Sequence, residues 1–397
     1  MLDLSFIVPL LLSIGVIKNP PCSSEEISDI LAEPIVIDED DPDTWENRFA
    51  NVSCSVQLQP GDLVTKSLRF IGPAANHLVF DCNGATISPL GALKEEEPAL
   101  LVSSAKFRAG DDYAHEPVRN VTIKNCKVRG STRVRSQFYR IGNEELATYK
   151  NERGPDYVRE LRSVAPTGIT FDNLDIVNGS GVSLYIEQGV THTTLKNSRI
   201  KHDNAGGPSL YIDAEAAYNV VENNEFHHDS SNFREVLSID GAEHNLITRN
   251  WFSGVTLGGV FLYRNCGERG EVRYTGVRNN EISDNIFYYQ DAWITRPAVY
   301  VGSRDGDSLS GYCDKDSNVS RPWDISDVDP SFGWDGDWEA SNTDDRDFAR
   351  FNTVLRNKIC NHAPDGFFKV KNVGFNFGNA IYDNRSISCD SSDPIPR

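Results

Sequence analysis

Apolar and polar residues alternate in four short segments: SLYIE at 183–187, SLYID at 209–213, VLSID at 236–240 and VFLYR at 260–264. Such alternation is typical of a β-strand with one buried face, because successive side chains of a strand point to opposite sides. In the first three segments the apolar residues are therefore predicted to point inward: Leu184, Ile186, Leu210, Ile212, Leu237 and Ile239.

Each of these four segments ends in a charged residue. Glu187, Asp213, Asp240 and Arg264 recur at intervals of 26, 27 and 24 residues. If each segment forms one coil's strand in a repeating structure, neighbouring strands lie about 4.8 Å apart. The pattern then predicts a ladder of three carboxylates and one guanidinium along one outward face.

A second repeat combines apolar residues with an asparagine. The copies are VTIKNCKV at 121–128, GITFDNLDI at 168–176, HTTLKNSRI at 192–200, NVVENNEF at 219–226, NLITRNWF at 245–252, NEISDNIF at 280–287 and NTVLRNKI at 352–359. Asparagine tolerates left-handed backbone, and its amide can bond the asparagine of the next coil. A period of about 20 to 30 residues with strands and turns indicates a solenoid. We therefore predict an all-β, right-handed parallel β-helix.

The strand-asparagine-turn repeat from Leu78 to Asn384 is similar to the repeats of pectate-lyase-like β-helices and of carbohydrate-binding and sugar-hydrolase proteins. The resemblance implies the fold. It does not define the reaction, since this architecture serves lyases, hydrolases, epimerases, adhesins and phage proteins alike. The polygalacturonase signatures of paired aspartates, Gly-His-Gly and Arg-Ile-Lys were not found, which argues against that hydrolase subfamily.

The ends and insertions of the solenoid can be predicted from composition. Residues 1–20 contain an apolar run from Leu4 to Ile17, which predicts a signal peptide followed by a single β-helix domain over 21–397. The repeat is interrupted at about 136–165, where PDYVRELRSV predicts a short helix, and at about 303–350, where tryptophans occur. Insertions in solenoids often wall the binding groove. The first insertion is locally basic and the second acidic.

The eight cysteines favour an oxidising compartment, and we expect a secreted or periplasmic protein without a membrane anchor once the signal peptide is removed. Pairing of near neighbours predicts Cys54–Cys82, Cys266–Cys313 and Cys360–Cys389. The formal charge of −19 argues against a nucleic-acid partner, because such binding depends on lysine and arginine contacts to phosphate. A polysaccharide is the expected substrate, and the sequence leaves the oligomeric state open.

Three stacked carboxylates repel one another unless a proton, a cation or an arginine compensates their charge. In the first reading Ca²⁺ binds to Glu187, Asp213 and Asp240, since calcium prefers carboxylate oxygens. The arrangement resembles that of the calcium-dependent lyases of this fold. The metal would neutralise a uronate carboxylate, and Arg264, Tyr211 or Tyr185 would act as base or acid in β-elimination.

Two other readings of the ladder remain open. Asp213 and Asp240 on adjacent coils fit the paired carboxylates of a glycoside hydrolase, with Arg264 as a substrate clamp. The ladder can also be a salt-bridge network in the polar groove of a noncatalytic carbohydrate-binding or adhesion protein. Further residues are predicted to contact the substrate: Tyr185 on the same face, His244 and Glu268 beyond the ladder, and Arg133 and Arg135 at a distal subsite.

Overall fold

The structure is a computed structural model, and it describes residues 19–34, 47–90, 97–109, 112–136, 156–264, 273–290, 296–302, 306–307, 312–313, 349–362, 369–372 and 378–389. Over these residues the chain winds through successive coils that each add one strand to three parallel sheets of ten strands. This architecture confirms the predicted all-β, right-handed parallel β-helix. The predicted signal peptide, apart from Asn19 and Pro20, lies outside the described residues.

The first sheet contains the strands Phe49–Asn51, Ser67–Ile71, Leu100–Ser103, Thr132–Arg135, Leu184–Ile186, Leu210–Ile212, Leu237–Asp240, Val260–Tyr263, Val299–Val301 and Val370–Asn372. The second sheet contains Val56–Gln57, Val79–Asp81, Thr122–Lys124, Thr170–Asp172, Thr194–Lys196, Val220–Glu222, Leu246–Thr248, Glu281–Ser283, Thr353–Leu355 and Ala380–Tyr382. The third sheet contains Leu63–Val64, Thr86–Ile87, Lys127–Arg129, Asp175–Asn178, Arg199–Ala205, Glu225–Ser230, Trp251–Ser253, Ile286–Tyr288, Lys358–Cys360 and Arg385–Ile387.

The core of the solenoid consists of inward side chains stacked in register from coil to coil. The six apolar residues predicted to point inward are all fully buried. In the third sheet Phe226, Phe252 and Phe287 stack with 4.9 Å between successive ring centroids. Because each inward residue contacts its counterparts above and below, the solenoid buries one continuous core along its length.

Two columns of asparagines, buried except for the half-buried Asn379 and Asn384, connect the coils at the ends of the second sheet: Asn219, Asn245, Asn280, Asn352 and Asn379 on one side, and Asn224, Asn250, Asn285, Asn357 and Asn384 on the other. In each column the side-chain oxygen of an asparagine accepts two hydrogen bonds from the asparagine of the preceding coil. One comes from its side-chain amide and the other from its backbone N–H. The residue before each asparagine has left-handed backbone. The asparagine repeat thus satisfies backbone groups at two tight bends, as its recurrence predicted.

The strand register corrects one feature of the sequence alignment. Ile186, Ile212, Ile239 and Leu262 pair in turn, so Asp240 lies opposite Tyr263 rather than Arg264. The prediction that Arg264 continues the ladder was therefore wrong by one residue. The segment VFLYR has two possible apolar faces, formed by Val260 and Leu262 or by Phe261 and Tyr263. In the structure the smaller pair, Val260 and Leu262, packs in the core.

Among the described residues, three disulfides join neighbouring coils or their edges, Cys22–Cys54, Cys82–Cys126 and Cys360–Cys389. The last pair was predicted correctly. Cys54 and Cys82 do not pair, because Cys54 precedes and Cys82 follows adjacent strands of the second sheet and they lie at opposite ends of it. The predicted Cys266–Cys313 bond involves Cys266, which lies outside the described residues.

Short helices and hairpins lie outside the three parallel sheets of the solenoid. Helix α1, Ser24–Leu31, begins with a capping box between Ser23 and Glu26 and packs its apolar side on the first coils. Helix α2, Asp156–Val164, confirms the helix predicted in the first insertion. In the described ranges, 3-10 turns cover Gly72–Ala75 and Val255–Leu257. The antiparallel pairs are Ala105–Ala109 with Asp112–Glu116, and Gly306–Asp307 with Tyr312–Cys313. No helix among the described residues has the length and apolar character needed to cross a membrane.

Candidate functional site

The predicted carboxylate ladder is present on the first sheet but is covered rather than open to solvent. Glu187, Asp213 and Asp240 occupy matching positions on three successive coils, and their exposed fractions are 5%, 2% and 0%. Helix α2 packs beside them, with Leu161 directly over Gly189, where any side chain would collide with it. Because the three carboxylates are buried to this extent, the fold requires partners that compensate their charge.

Arg273 supplies part of this compensation. Its Nη1 atom lies 2.7 Å from Asp213 Oδ1 and 2.8 Å from Asp240 Oδ2. Arg264, the arginine predicted from the sequence, is also buried and donates from Nη1 to the backbone oxygen of Arg273 at 3.1 Å. One guanidinium therefore bridges two carboxylates, and a second holds the backbone of the first.

Each of the two aspartates also accepts a hydrogen bond from a tyrosine of the preceding coil. Tyr185 donates to Asp213 Oδ2 at 2.6 Å, and Tyr211 donates to Asp240 Oδ2. The two rings meet edge to face with 5.2 Å between centroids. Burial, reinforced by the neighbouring carboxylate, raises the pKa of both hydroxyls well above the usual value. Both tyrosines are therefore protonated donors at neutral pH.

Glu187 has a different environment from the two aspartates. Its Oε1 atom accepts from Arg135 Nε at 2.9 Å and lies 3.8 Å from Arg133 Nη1. Burial raises the pKa of Glu187, and the charge of Arg135 only partly opposes this effect. Among the described residues no hydrogen-bond donor reaches its buried Oε2 atom. Glu187 thus combines a raised proton affinity with one unoccupied carboxylate oxygen.

The position of Arg273 depends on a glutamate in an unusual backbone conformation. Glu215 has a φ of 62°, whereas Gly189 and Gly241 occupy the corresponding corners of the adjacent coils. Its carboxylate accepts from the backbone N–H of Tyr274 at 2.7 Å and of Thr275 at 2.9 Å. Left-handed backbone is unfavourable for a glutamate, so these two bonds offset a local cost while anchoring the segment that carries Arg273.

A second buried cluster adjoins Asp240. Tyr263, the residue opposite Asp240, donates to Glu235 Oε1 at 3.0 Å and accepts from Arg234 Nη2 at 2.9 Å. Ser238 donates to the same glutamate oxygen. Burial by itself raises the pKa of Glu235, but the hydrogen bond and charge of Arg234 outweigh it and lower the pKa to about 2. The ionised Glu235 therefore continues the polar network beyond Asp240.

The remaining predicted residues separate into three groups. Tyr185, Tyr211, Arg133 and Arg135 lie on the outward side of the first sheet with the ladder. His244 lies at the bend into the second sheet, where it stacks on Tyr218 at 4.9 Å and is 3.9 Å from Glu243. Glu268 lies outside the described residues.

Four residues of the site were not predicted from the sequence: Arg273, Glu215, Glu235 and Tyr263. A signal for Glu215 was present, because it stands where the neighbouring coils have glycine. Arg273 had no such signal, since it is 60 residues from Asp213 and belongs to no repeat.

The calcium site stays a prediction. The described residues contain no group of three or more acidic, histidine or cysteine side chains placed to hold a metal. Asp213 and Asp240 have a guanidinium between them, and each also accepts a tyrosine hydroxyl. This donor set as it stands fits arginine compensation better than the oxygen cage of Ca²⁺.

No protein-family model matches this sequence, and no curated protein matches it significantly. Solved structures with a similar course of the chain include the alginate lyase from Paenibacillus sp. str. FPU-7, with 11% identity, coverage of 84% of this chain and 88% of that chain, and a TM-score of 0.48. The A-module of the Azotobacter vinelandii mannuronan C-5 epimerase AlgE6 has 10% identity, coverage of 84% and 81%, and a TM-score of 0.37. The periplasmic alginate epimerase AlgG has 11% identity, coverage of 86% and 78%, and a TM-score of 0.35.

Proposed function

We propose that this protein acts on an acidic polysaccharide and cleaves it by β-elimination at a uronic acid unit. The observation that carries the proposal is the pair of tyrosine–aspartate hydrogen bonds on adjacent coils, Tyr185 to Asp213 and Tyr211 to Asp240, joined by Arg273. A buried set of aligned donors and charges with perturbed pKa values is a feature of catalytic sites, because it is costly to maintain in a purely structural role.

A column of side chains on the outward side of the first sheet is the proposed binding surface, although Tyr211 and Ser238 in its middle are buried in the free protein. In coil order this column contains Arg133, Tyr185, Tyr211, Ser238, Phe261, Tyr300 and Lys371. Cations flank the aromatic rings of this stretch, Arg133 before Tyr185 and Lys371 after Tyr300, and before Arg133 the column continues through Leu101 and Arg69. An extended anionic glycan suits this order, since the rings can contact sugar faces and the cations can bind carboxylates.

In the proposed reaction Glu187 removes the C5 proton of the uronate, because its raised pKa and unoccupied Oε2 atom suit a general base. Since this oxygen is buried in the free protein, the proposed reaction requires that substrate binding displace the cover over the ladder. Electrons from the C5–H bond form the C4–C5 double bond, and the C4–O4 bond breaks. The leaving O4 takes the proton of Tyr211, whose hydroxyl is kept protonated by burial and by Asp240 and must release its hydrogen bond to Asp240 in this step. Arg273 offsets the negative charge that remains on the tyrosine and the aspartate.

The glycoside-hydrolase alternative is supported by one observation, that Asp213 and Asp240 both contact Arg273 Nη1 and so lie close together. A hydrolase needs one carboxyl that keeps a proton for the leaving group. Asp213 and Asp240 instead both accept hydrogen bonds, from a tyrosine hydroxyl and from the shared guanidinium, so neither is placed to donate to a leaving group. Elimination therefore agrees better with the site.

The test compares the native protein with Tyr211→Phe and, as a matched control on the same column, Tyr300→Phe. Each protein is incubated with alginate, polygalacturonate and hyaluronan, and the ultraviolet absorbance of unsaturated uronate is followed together with reducing ends. We expect the Tyr211 variant to lose at least about a hundredfold in rate, as is typical for loss of a general acid. The control is expected to stay within a few-fold.

Other outcomes would overturn the proposal. New reducing ends without unsaturated product would indicate hydrolysis, and altered uronate stereochemistry without cleavage would indicate epimerisation. Binding of a polymer without any product would indicate a noncatalytic carbohydrate-binding protein.

We further propose that the protein is secreted or periplasmic after removal of the predicted signal peptide. The disulfides Cys22–Cys54, Cys82–Cys126 and Cys360–Cys389 support this, because disulfides persist in oxidising compartments. Expression of the full chain followed by N-terminal sequencing of the exported protein tests it. Retention of an intact N-terminus inside the cell, with reduced cysteines, would contradict it.

A further inference from the structure

A groove of about 780 Å³ lies at the corner between the second and third sheets, away from the carboxylate ladder. Its floor is formed by four asparagines from successive coils, Asn125, Asn173, Asn197 and Asn223. All four have left-handed backbone, with φ between 52° and 58°. Since each coil adds about 4.8 Å, the four carboxamides form a row about 14 Å long.

The carboxamides of this row retain hydrogen-bonding capacity. Asn173 donates to Asn125 Oδ1 at 2.8 Å, and Asn223 donates to Asn197 Oδ1. Asn197 donates to Asp172 rather than to Asn173. Within the described part of the chain no donor reaches the side-chain oxygens of Asn173 and Asn223, and each amide nitrogen has a second hydrogen. The floor of the groove thus presents both acceptors and donors.

The same corner is built differently where the groove ends. The next residues at this position along the solenoid are Arg249, Asp284 and Arg356. Arg249 pairs with Glu222, and Arg356 pairs with Asp284 through two hydrogen bonds of 2.8 and 2.7 Å. Where the corner forms a groove, it therefore carries neutral amides with unused hydrogen-bond donors and acceptors. Beyond the groove it carries charged residues that pair with one another.

The charges beside the groove cancel. On the third sheet Lys127, Asp175, Arg199 and Glu225 alternate in sign from coil to coil. On the second sheet the adjoining column of Lys124, Asp172, Lys196 and Glu222 alternates in the same way. An alternating border has no net attraction for a polyanion, so this groove differs from the cation-flanked surface of the first sheet.

We propose that this groove is a second carbohydrate site, which binds a neutral, hydroxyl-rich oligosaccharide along the asparagine row. Carboxamides suit hydroxyl groups because both can donate and accept at once. The next residue of the third-sheet column, Trp251, is partly exposed and stacks on Tyr288 with 5.6 Å between ring centroids. Its indole offers an apolar surface for a sugar ring at the end of the row. This site goes beyond the proposed reaction and does not depend on it.

The experiment uses substitutions that keep the backbone and remove only the amide. Glycine adopts positive φ without strain, so Asn173→Gly combined with Asn223→Gly removes the two floor carboxamides that have open acceptors at little conformational cost. The matched control is Asn279→Gly, a left-handed asparagine at the other bend of the coil. Binding of the full chain to soluble starch, mannan, xylan and mixed-linkage β-glucan is measured by affinity electrophoresis and calorimetry.

We expect one of these neutral polymers to retard the native protein and the control, and the double variant to bind at least tenfold more weakly. Absence of retardation by all four polymers would overturn the proposal, as would equal binding by the double variant. Activity on acidic polymers is measured in parallel and is expected to be unchanged in the double variant. Failure of the elimination assay and failure of this binding assay are therefore distinguishable.

Discussion

The carboxylate of Glu215 accepts a hydrogen bond from the backbone N–H of Thr275 at 2.9 Å, across 60 residues of sequence. A second bond, from the N–H of Tyr274, is 2.7 Å long. Together they fix the segment that begins with Arg273, whose guanidinium binds Asp213 and Asp240. Glu215 is thus a positioning residue for the proposed site, although it contacts neither aspartate in these bonds.

We predict that Glu215→Gly lowers activity on an acidic polysaccharide by about tenfold to a hundredfold, since small misplacements of catalytic groups have effects of this size. Glycine tolerates the left-handed backbone, so the loss would report the missing carboxylate and not strain. Hydrogen exchange of the Tyr274 and Thr275 amides should accelerate in the variant. Full activity combined with faster exchange would show that this anchor serves stability alone.

We predict that Arg273→Met destabilises the fold by about 3 to 5 kcal/mol, the usual result of leaving buried charges without their partner. The free energy of unfolding in urea measures it. Arg249→Met is the matched control, because Arg249 forms an exposed pair with Glu222 and exposed pairs contribute about 0 to 1 kcal/mol. Adding Asp213→Asn and Asp240→Asn to the Arg273 variant should recover part of the loss. No recovery would mean that the arginine acts through packing and not through charge.

Stability should fall as the pH decreases from about 6.5 to about 4, because of His228. Burial, together with the adjacent His202, lowers the pKa of His228 to about 4. Its ring stacks on His202 at 4.9 Å, its Nδ1 atom contacts Ser209, its Nε2 atom contacts the backbone oxygen of Arg234, and Glu235 and Arg234 are its charged neighbours. In this pH range the unfolded chain binds the proton and the folded chain does not, so folding is weakened progressively.

The pKa shift of His228 is expected to lower the free energy of unfolding by a total on the order of 3 kcal/mol once the pH is below about 4. Urea unfolding at several pH values should show a shallower decline between pH 6.5 and 4 for His228→Gln than for the native protein. Parallel declines for the two proteins would assign the acid sensitivity to other groups.

The calcium site predicted from the sequence is tested by chelation. If Ca²⁺ bound to Glu187, Asp213 and Asp240 neutralises the uronate, product formation should fall at least tenfold in excess chelator and return with added Ca²⁺. Calcium binding measured directly by calorimetry should also weaken in Asp240→Asn. Unchanged activity in excess chelator would indicate that the arginines of the site, and not Ca²⁺, neutralise the uronate carboxylate.

Local sequence was sufficient for the repeating parts of the molecule. The inward residues Leu184 and Ile186 follow from alternation, and buried asparagines such as Asn250 follow from their recurrence before an apolar residue. Both patterns work because each coil repeats one environment, so that a residue's neighbours above and below are its own counterparts. The ladder of Glu187, Asp213 and Asp240 was predictable for the same reason.

The features that depend on distant or ambiguous contacts required the tertiary structure. VFLYR is apolar at four adjacent positions, so packing decided that Tyr263 and not Arg264 stands opposite Asp240. Three further features involve segments from different coils or insertions. Arg273 lies between two aspartates, Leu161 of helix α2 covers the ladder, and Cys82 pairs with Cys126. The sequence by itself thus determined the repeating solenoid and the line of its acidic residues. The burial and charge compensation of those residues were decided only in three dimensions, because they arise from nonrepeating segments folding back on the repeat.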